Sequence, residues 1–97
     1  MAGPQSPKYR AEPAEHLLTE PLDAMTLIYQ RRSGITHIVA EPVPQMLAVM
    51  GSDALAAEEV AQRLTAMFEI EGEDVVAVVA ARLQELAALG LVERVRA

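Results

Sequence analysis

Two hydrophobic rhythms divide this chain near residue 42. From Leu17 to Ala40 the apolar residues come in short runs with β-branched and aromatic members. Leu17-Leu18-Thr19, Met25-Thr26-Leu27-Ile28-Tyr29-Gln30 and Ile35-Thr36-His37-Ile38-Val39-Ala40 have the composition of strands. Pro21 confines the first to an edge or an end of a sheet, because it has no N–H to give to a ladder. Arg31-Arg32-Ser33-Gly34 is polar, has hairpin-loop length and ends in glycine, the residue that takes φ > 0 most readily. The two later runs are therefore predicted to form a hairpin. Neither alternates cleanly, so the pattern leaves open which face of the hairpin is buried.

After Glu41-Pro42-Val43-Pro44 the period becomes helical. Pro44 has no N–H and biases Val43 away from helix, so this segment is expected to end the sheet. Val43, Met46, Leu47 and Met50 follow at the spacing of one buried helix face, and Gly51 is placed to terminate it. Ser52 or Asp53 can begin a second helix with Ala57, Val60, Ala61, Leu64, Met67 and Phe68 inward, ending near Glu69 to Gly72. A third and longest helix has Glu73 and Asp74 in its first turn, where carboxylates complement the helix dipole. Its inward stripe is Val76, Val79, Ala80, Leu83, Leu86, Ala87 and Gly90, with Gly90 as the C-terminal stop. Leu91-Val92 can pack back on the core before Arg94-Val95-Arg96. The predicted order is three strands and then three helices.

Residues 1–15 carry Pro4, Pro7 and Pro13, few apolar residues and little periodicity. They are expected to form a disordered tail, with the folded domain spanning 16–97. At 97 residues the chain is one domain. Its apolar fraction of 52 % is mostly Ala, Leu and Val, with Tyr9, Tyr29 and Phe68 the only aromatics. Such a core is thin, and binding a partner or dimerising would add stability. The absence of cysteine removes disulfides, thiolate metal sites and thiol catalysis, and fits a reducing cytoplasm. No targeting segment or membrane span is legible. A net charge of −6 disfavours polyanionic partners.

Catalytic constellations are missing from the sequence. There is no Gly-rich phosphate loop, nucleophile elbow or His-Glu metal motif. Glu69, Glu71, Glu73 and Asp74 lack the oxygen-ligand spacing of a calcium loop and read as a solvated start to a helix. His16 and His37 have no metal-ligand partner at helix or hairpin spacing, and His37 reads as a strand position that packs or hydrogen-bonds. Arg31 and Arg32 read as a solvated turn, or as a docking point for an acidic surface. The expectation is a non-catalytic binding module with no cofactor.

Two features point to where binding occurs. If the third strand lies at a sheet edge, residues 35–40 present unpaired N–H and C=O groups with no Lys or Pro to blunt them. An added peptide strand or a second copy of the chain could cover that edge. On the third helix, Val75, Val78, Arg82 and Leu89 lie on a flank beside the inward stripe, with Leu86 on the border. An apolar flank with one arginine suits a groove floor, with Arg82 meeting an acidic peptide residue. The alternative is a wider buried face. The candidate peptide-binding residues are thus Ile35, Thr36, His37, Ile38, Val39, Val75, Val78, Arg82, Leu86 and Leu89.

The hairpin Tyr29-Gln30-Arg31-Arg32-Ser33-Gly34-Ile35-Thr36-His37-Ile38-Val39 resembles the second and third strands of the PqqD family of peptide chaperones. Ser33, Gly34, Thr36 and His37 are similar to the Ser-Gly-x-Thr-His core of the branch associated with HPr-kinase-related proteins. Leu83-Gln84-Glu85-Leu86-Ala87-Ala88-Leu89-Gly90-Leu91-Val92 resembles the end of that family's third helix. The resemblance implies an α+β, winged-helix-like fold, a three-stranded antiparallel sheet followed by three helices. It also implies that a leader peptide is captured as an added strand between the third strand and third helix. The precursor would then be presented to a modifying enzyme, a radical-SAM or kinase-like protein. Two other classes stand against this, a winged-helix DNA-binding regulator and a dimeric structural interaction module. The regulator is disfavoured because Val43 to Gly90 holds Asp53, Glu58, Glu59, Glu69, Glu71, Glu73, Asp74 and Glu85 against only Arg63 and Arg82, charges that repel phosphates.

Overall fold

A computed structural model describes residues 7–68 and 74–95. The chain opens with strand β1 (Lys8–Ala11) and one 3-10 turn (Ala14–His16). Three antiparallel strands follow, β2 (Leu17–Leu22), β3 (Met25–Gln30) and β4 (Ile35–Ala40), paired in that order. Then come α1 (Val43–Met50), the short β5 (Leu55–Ala56), α2 (Ala57–Met67), α3 (Val75–Leu89) and β6 (Val92–Val95). The fold is α+β, and the predicted three-stranded sheet followed by three helices is present.

A second sheet, ordered β5-β1-β6, was not visible in the pattern. It corrects the expectation of a disordered stretch through residue 15. Tyr9 and Ala11 are buried, and β1 is the central strand, held by β5 on one side and β6 on the other. The strand is too short and too polar to register as β periodicity; its partners lie over 40 residues away in the chain. The expected packing of Leu91 and Val92 against the core holds, since both are buried and Val92 begins β6.

Two helix boundaries differ from expectation. Val43 is the first residue of α1 although Pro44 follows it. Proline is tolerated there because first-turn N–H groups have no partner within the helix. The second helix starts at Ala57 rather than at Ser52 or Asp53. Ala56 precedes it and has no side-chain acceptor, but Glu59 Oε1 accepts the Ala56 N–H at 2.9 Å, the return half of a capping box. Asp74 sits just before α3 rather than in its first turn. The expected end of the second helix at 69–72 and the placement of Glu73 lie outside the described residues.

The third helix ends as predicted. Gly90 has φ +81°, its N–H bonds to Ala87 O, and Leu91 N–H reaches back to Leu86 O at 2.9 Å. This is a Schellman closure, with Leu91 and Leu86 both buried beside it. The predicted inward stripe of α3 holds except at its start, with Ala80 and Ala87 also packed against the core. Val79, Leu83 and Leu86 are buried and Val75 packs against the core, whereas Val76 is exposed.

Candidate functional site

Cross-strand register sorts the residues of β2, β3 and β4 onto two faces. Opposed residues share a face, so Ile28 lies with His37 and Thr19, Gln30 with Ile35 and Leu17, and Thr26 with Val39 and Pro21. Ile28, Gln30, His37 and Val39 are buried, so this is the inner face. The outer face carries Leu18, Leu22, Met25, Leu27, Tyr29, Ile38 and Ala40, with Glu20 and Thr36 as its only polar members. The exposed face of this sheet is more apolar than the buried one. Apolar residues on both faces, Ile28, Ile35 and Val39 on the inner and Met25, Leu27, Tyr29 and Ile38 on the outer, are why neither strand alternates cleanly in the sequence.

A polar cluster centred on Gln30 holds the inner face in this register. Gln30 Nε2 donates to Glu12 Oε2 at 3.1 Å and to Gly90 O at 2.9 Å. Gln30 Oε1 accepts from Ser33 Oγ at 3.0 Å and faces His37 Nε2 at 3.4 Å. Both partners of Nε2 are acceptors, which fixes the orientation of the amide and calls for a proton on His37 Nε2. Arg32 adds a contact to Glu12 Oε1 at 3.2 Å, and His16 Nδ1 lies 3.8 Å from the same oxygen. Burial on its own would raise the Glu12 carboxyl. The hydrogen bond from Gln30, the charge and hydrogen bond of Arg32 and the nearby His16 hold it below the ordinary glutamate value instead.

Strand β4 pairs with β3 on one side only, so its other edge has no strand partner among the described residues. That edge borders a groove of about 190 Å³ lined by Ile38, Val39, Ala40, Glu41, Val43, Arg82, Glu85, Leu86 and Leu89. The structure thus brings together five of the candidate residues, Ile38, Val39, Arg82, Leu86 and Leu89. Leu86 forms its buried floor, Leu89 is half-exposed at its rim, and Arg82 pairs with Glu85 at 3.1 Å. Arg82 Nε is buried and has no hydrogen-bond partner among the described residues.

The remaining candidates lie elsewhere. Ile35 and Thr36 are exposed at the hairpin end of β4, away from the groove. His37 points inward to Gln30 and is buried on the inner face, outside the groove lining. Val75 packs against the core, and Val78 is exposed about one helical turn before Arg82. The sequence placed Ala40 at the end of the 35–40 edge but missed Glu41, Val43 and Glu85. Glu85 had a signal, since it stands at i+3 from Arg82 on a helix. Glu41 and Val43 had none, because only the turn from β4 into α1 places them there.

A wider cleft of about 730 Å³ lies between the N-terminal segment, α1 and the inner side of β2, lined by Pro13, Leu17, Ile28 and Leu47 among others. It adjoins the other edge of the sheet, but Pro21 interrupts that edge. Among the described residues no group of three or more His, Cys, Asp or Glu could hold a metal ion, and no helix is long and apolar enough to cross a membrane. Glu69, Glu71 and Glu73 of the acidic run lie outside the described residues. Comparison of the chain with protein-family models, curated proteins and solved structures finds no match.

Proposed function

We propose that this chain is a non-catalytic, cytoplasmic peptide-recognition domain that takes up an extended segment as a fourth strand on β4, beside α3. The single observation that carries this is the juxtaposition of an unpartnered, proline-free strand edge with a groove lined by Ile38, Leu86 and Leu89. Main-chain hydrogen bonds along such an edge supply affinity, and pockets for alternate side chains supply selectivity. Arg82 lines the groove and is partly exposed, and its guanidinium suits a carboxylate of the incoming segment. The order of three strands and three helices agrees with the PqqD-type architecture that the hairpin and the helix end resemble. On that reading the domain presents a leader or partner peptide to a modifying enzyme, of radical-SAM or kinase-like class.

Selection from a random peptide library tests the proposal. Peptides recovered on the native chain should lose affinity about tenfold or more with Leu89→Glu or Arg82→Gln, as truncation of a central contact does. Both side chains are partly exposed, so thermal stability should change little. Bound peptide should also slow hydrogen exchange along β4. Peptides that bind both variants as well as the native chain would sink the groove as the site.

A further inference from the structure

The outer face of β2-β3-β4 meets the groove only at Ile38 and Ala40 and makes its own demand. Leu18, Leu22, Met25, Tyr29 and Ile38 all lie on it, exposed by 56, 48, 39, 38 and 63 %. Together they present apolar surface on the order of 500 Å², at the upper end of what a monomer usually shows. A strand captured at the β4 edge would lie beside this face and leave it uncovered.

We infer that this face docks on the same face of a second copy of the chain, as two stacked sheets with their strand directions reversed. The area fits, since two such patches bury roughly 1,000 Å², the lower bound for a specific interface. Leu27 and Ala40 lie on the same face and add to it.

Charge chooses the occupant and the orientation. The hairpin end of the face carries Arg31 and the opposite end Asp23, whereas Arg32 is held by Glu12 on the inner side and Glu41 lines the groove. Arg31 and Asp23 are exposed and form no ion pair with described residues. A two-fold axis in the interface, perpendicular to the strands, lays each basic end over the partner's acidic end. The row Leu18-Tyr29-Thr36 then meets Leu22-Met25-Ala40, and the central row Glu20-Leu27-Ile38 meets itself. Glu20 sits on the edge strand β2, so its carboxylate lies at the rim of the interface, facing its own copy.

Sedimentation velocity over a micromolar to high-micromolar series tests this on the full chain. The native chain should form a dimer, weakened about tenfold or more by Leu18→Lys or Leu22→Lys, each monitored by thermal melting to show that it folds. Arg31→Glu should weaken the dimer, and Arg31→Glu with Asp23→Arg should restore it. Glu20→Gln should tighten it by removing the facing carboxylates. A native chain that stays monomeric throughout overturns the inference and leaves the face to a different protein. A dimer that survives Leu18→Lys and Leu22→Lys uses another surface, such as the β4 edge, and overturns it equally. The groove variant Leu89→Glu should dimerise normally, so failure here and failure of the peptide-recognition reading are told apart.

Discussion

Gln30 gives an amide proton to the main-chain carbonyl of Gly90 at 2.9 Å, joining two residues 60 positions apart. The bond ties the middle strand of the sheet to the end of α3 and so sets one wall of the groove against the other. Gly90 O is free to accept because the Schellman turn directs α3 to end there. The remaining amide contacts of Gln30 collect Glu12, Ser33 and His37. Ser33 and His37, two of the residues that carry the PqqD resemblance, are thus joined through one side chain of the inner face.

Gln30→Ala should be among the costliest changes in the sheet. It removes the donor of the Gly90 carbonyl and of Glu12 Oε2, leaving Glu12 only the Arg32 hydrogen bond at its other oxygen, at about 1–3 kcal/mol for each buried group left unpaired. Urea unfolding should show a total loss of about 2–4 kcal/mol. Gln30→Glu should lose at least as much at neutral pH, since it faces a carboxylate with a carboxylate and a carbonyl, and should recover part of it in acid. A loss below that of a typical surface substitution would mean the cluster does not hold the register.

Acid should unfold the protein partly through Glu12. Its carboxyl is held below the ordinary value in the folded state. A depressed folded pKa gives stability that is present above the unfolded value, about 4.3, and lost as pH falls through the folded value. Stability should therefore fall below about pH 4, and Glu12→Gln should flatten that limb while lowering stability at neutral pH. Denaturant midpoints measured across the acid range in both proteins check the prediction. Identical acid limbs would remove Glu12 from the account.

Adjacent valines on α3 should respond oppositely to charge. Val79 is fully buried, and Val79→Asp should cost several kcal/mol, enough to unfold a small domain. Val78 is exposed, and Val78→Asp should change stability by no more than about 0.5 kcal/mol. Circular dichroism melts decide it. Unfolding by Val78→Asp would mean that the flank belongs to the core.

Gly90→Ala isolates the backbone term at the turn. A Cβ there meets Gln30 Nε2 at 3.5 Å, an ordinary contact, so space is not the obstacle. The left-handed φ of +81° is, and it should cost about 1–2 kcal/mol. A much larger loss in a chemical melt would show that the Gln30–Gly90 hydrogen bond breaks as well.

The sequence by itself determined the elements whose signals are local. Hydrophobic period separated the strands from the helices, Gly34 and Gly90 marked a hairpin loop and a helix end, and residues 35–40 showed no Lys or Pro to blunt that strand wherever it lay at an edge. Arg82, Leu86 and Leu89 came from helical spacing alone. Only the tertiary structure decided the rest. β1 is a strand because β5 and β6 flank it, partners far along the chain that leave no periodic mark on four residues. The faces of β2, β3 and β4 could not be read because apolar residues stand on both, more of them outward. Gln30, buried against Gly90, Glu12, Ser33 and His37, turns the sheet the other way. A one-residue slip would exchange the two faces, and specific hydrogen bonds between distant residues, which composition does not record, choose between them.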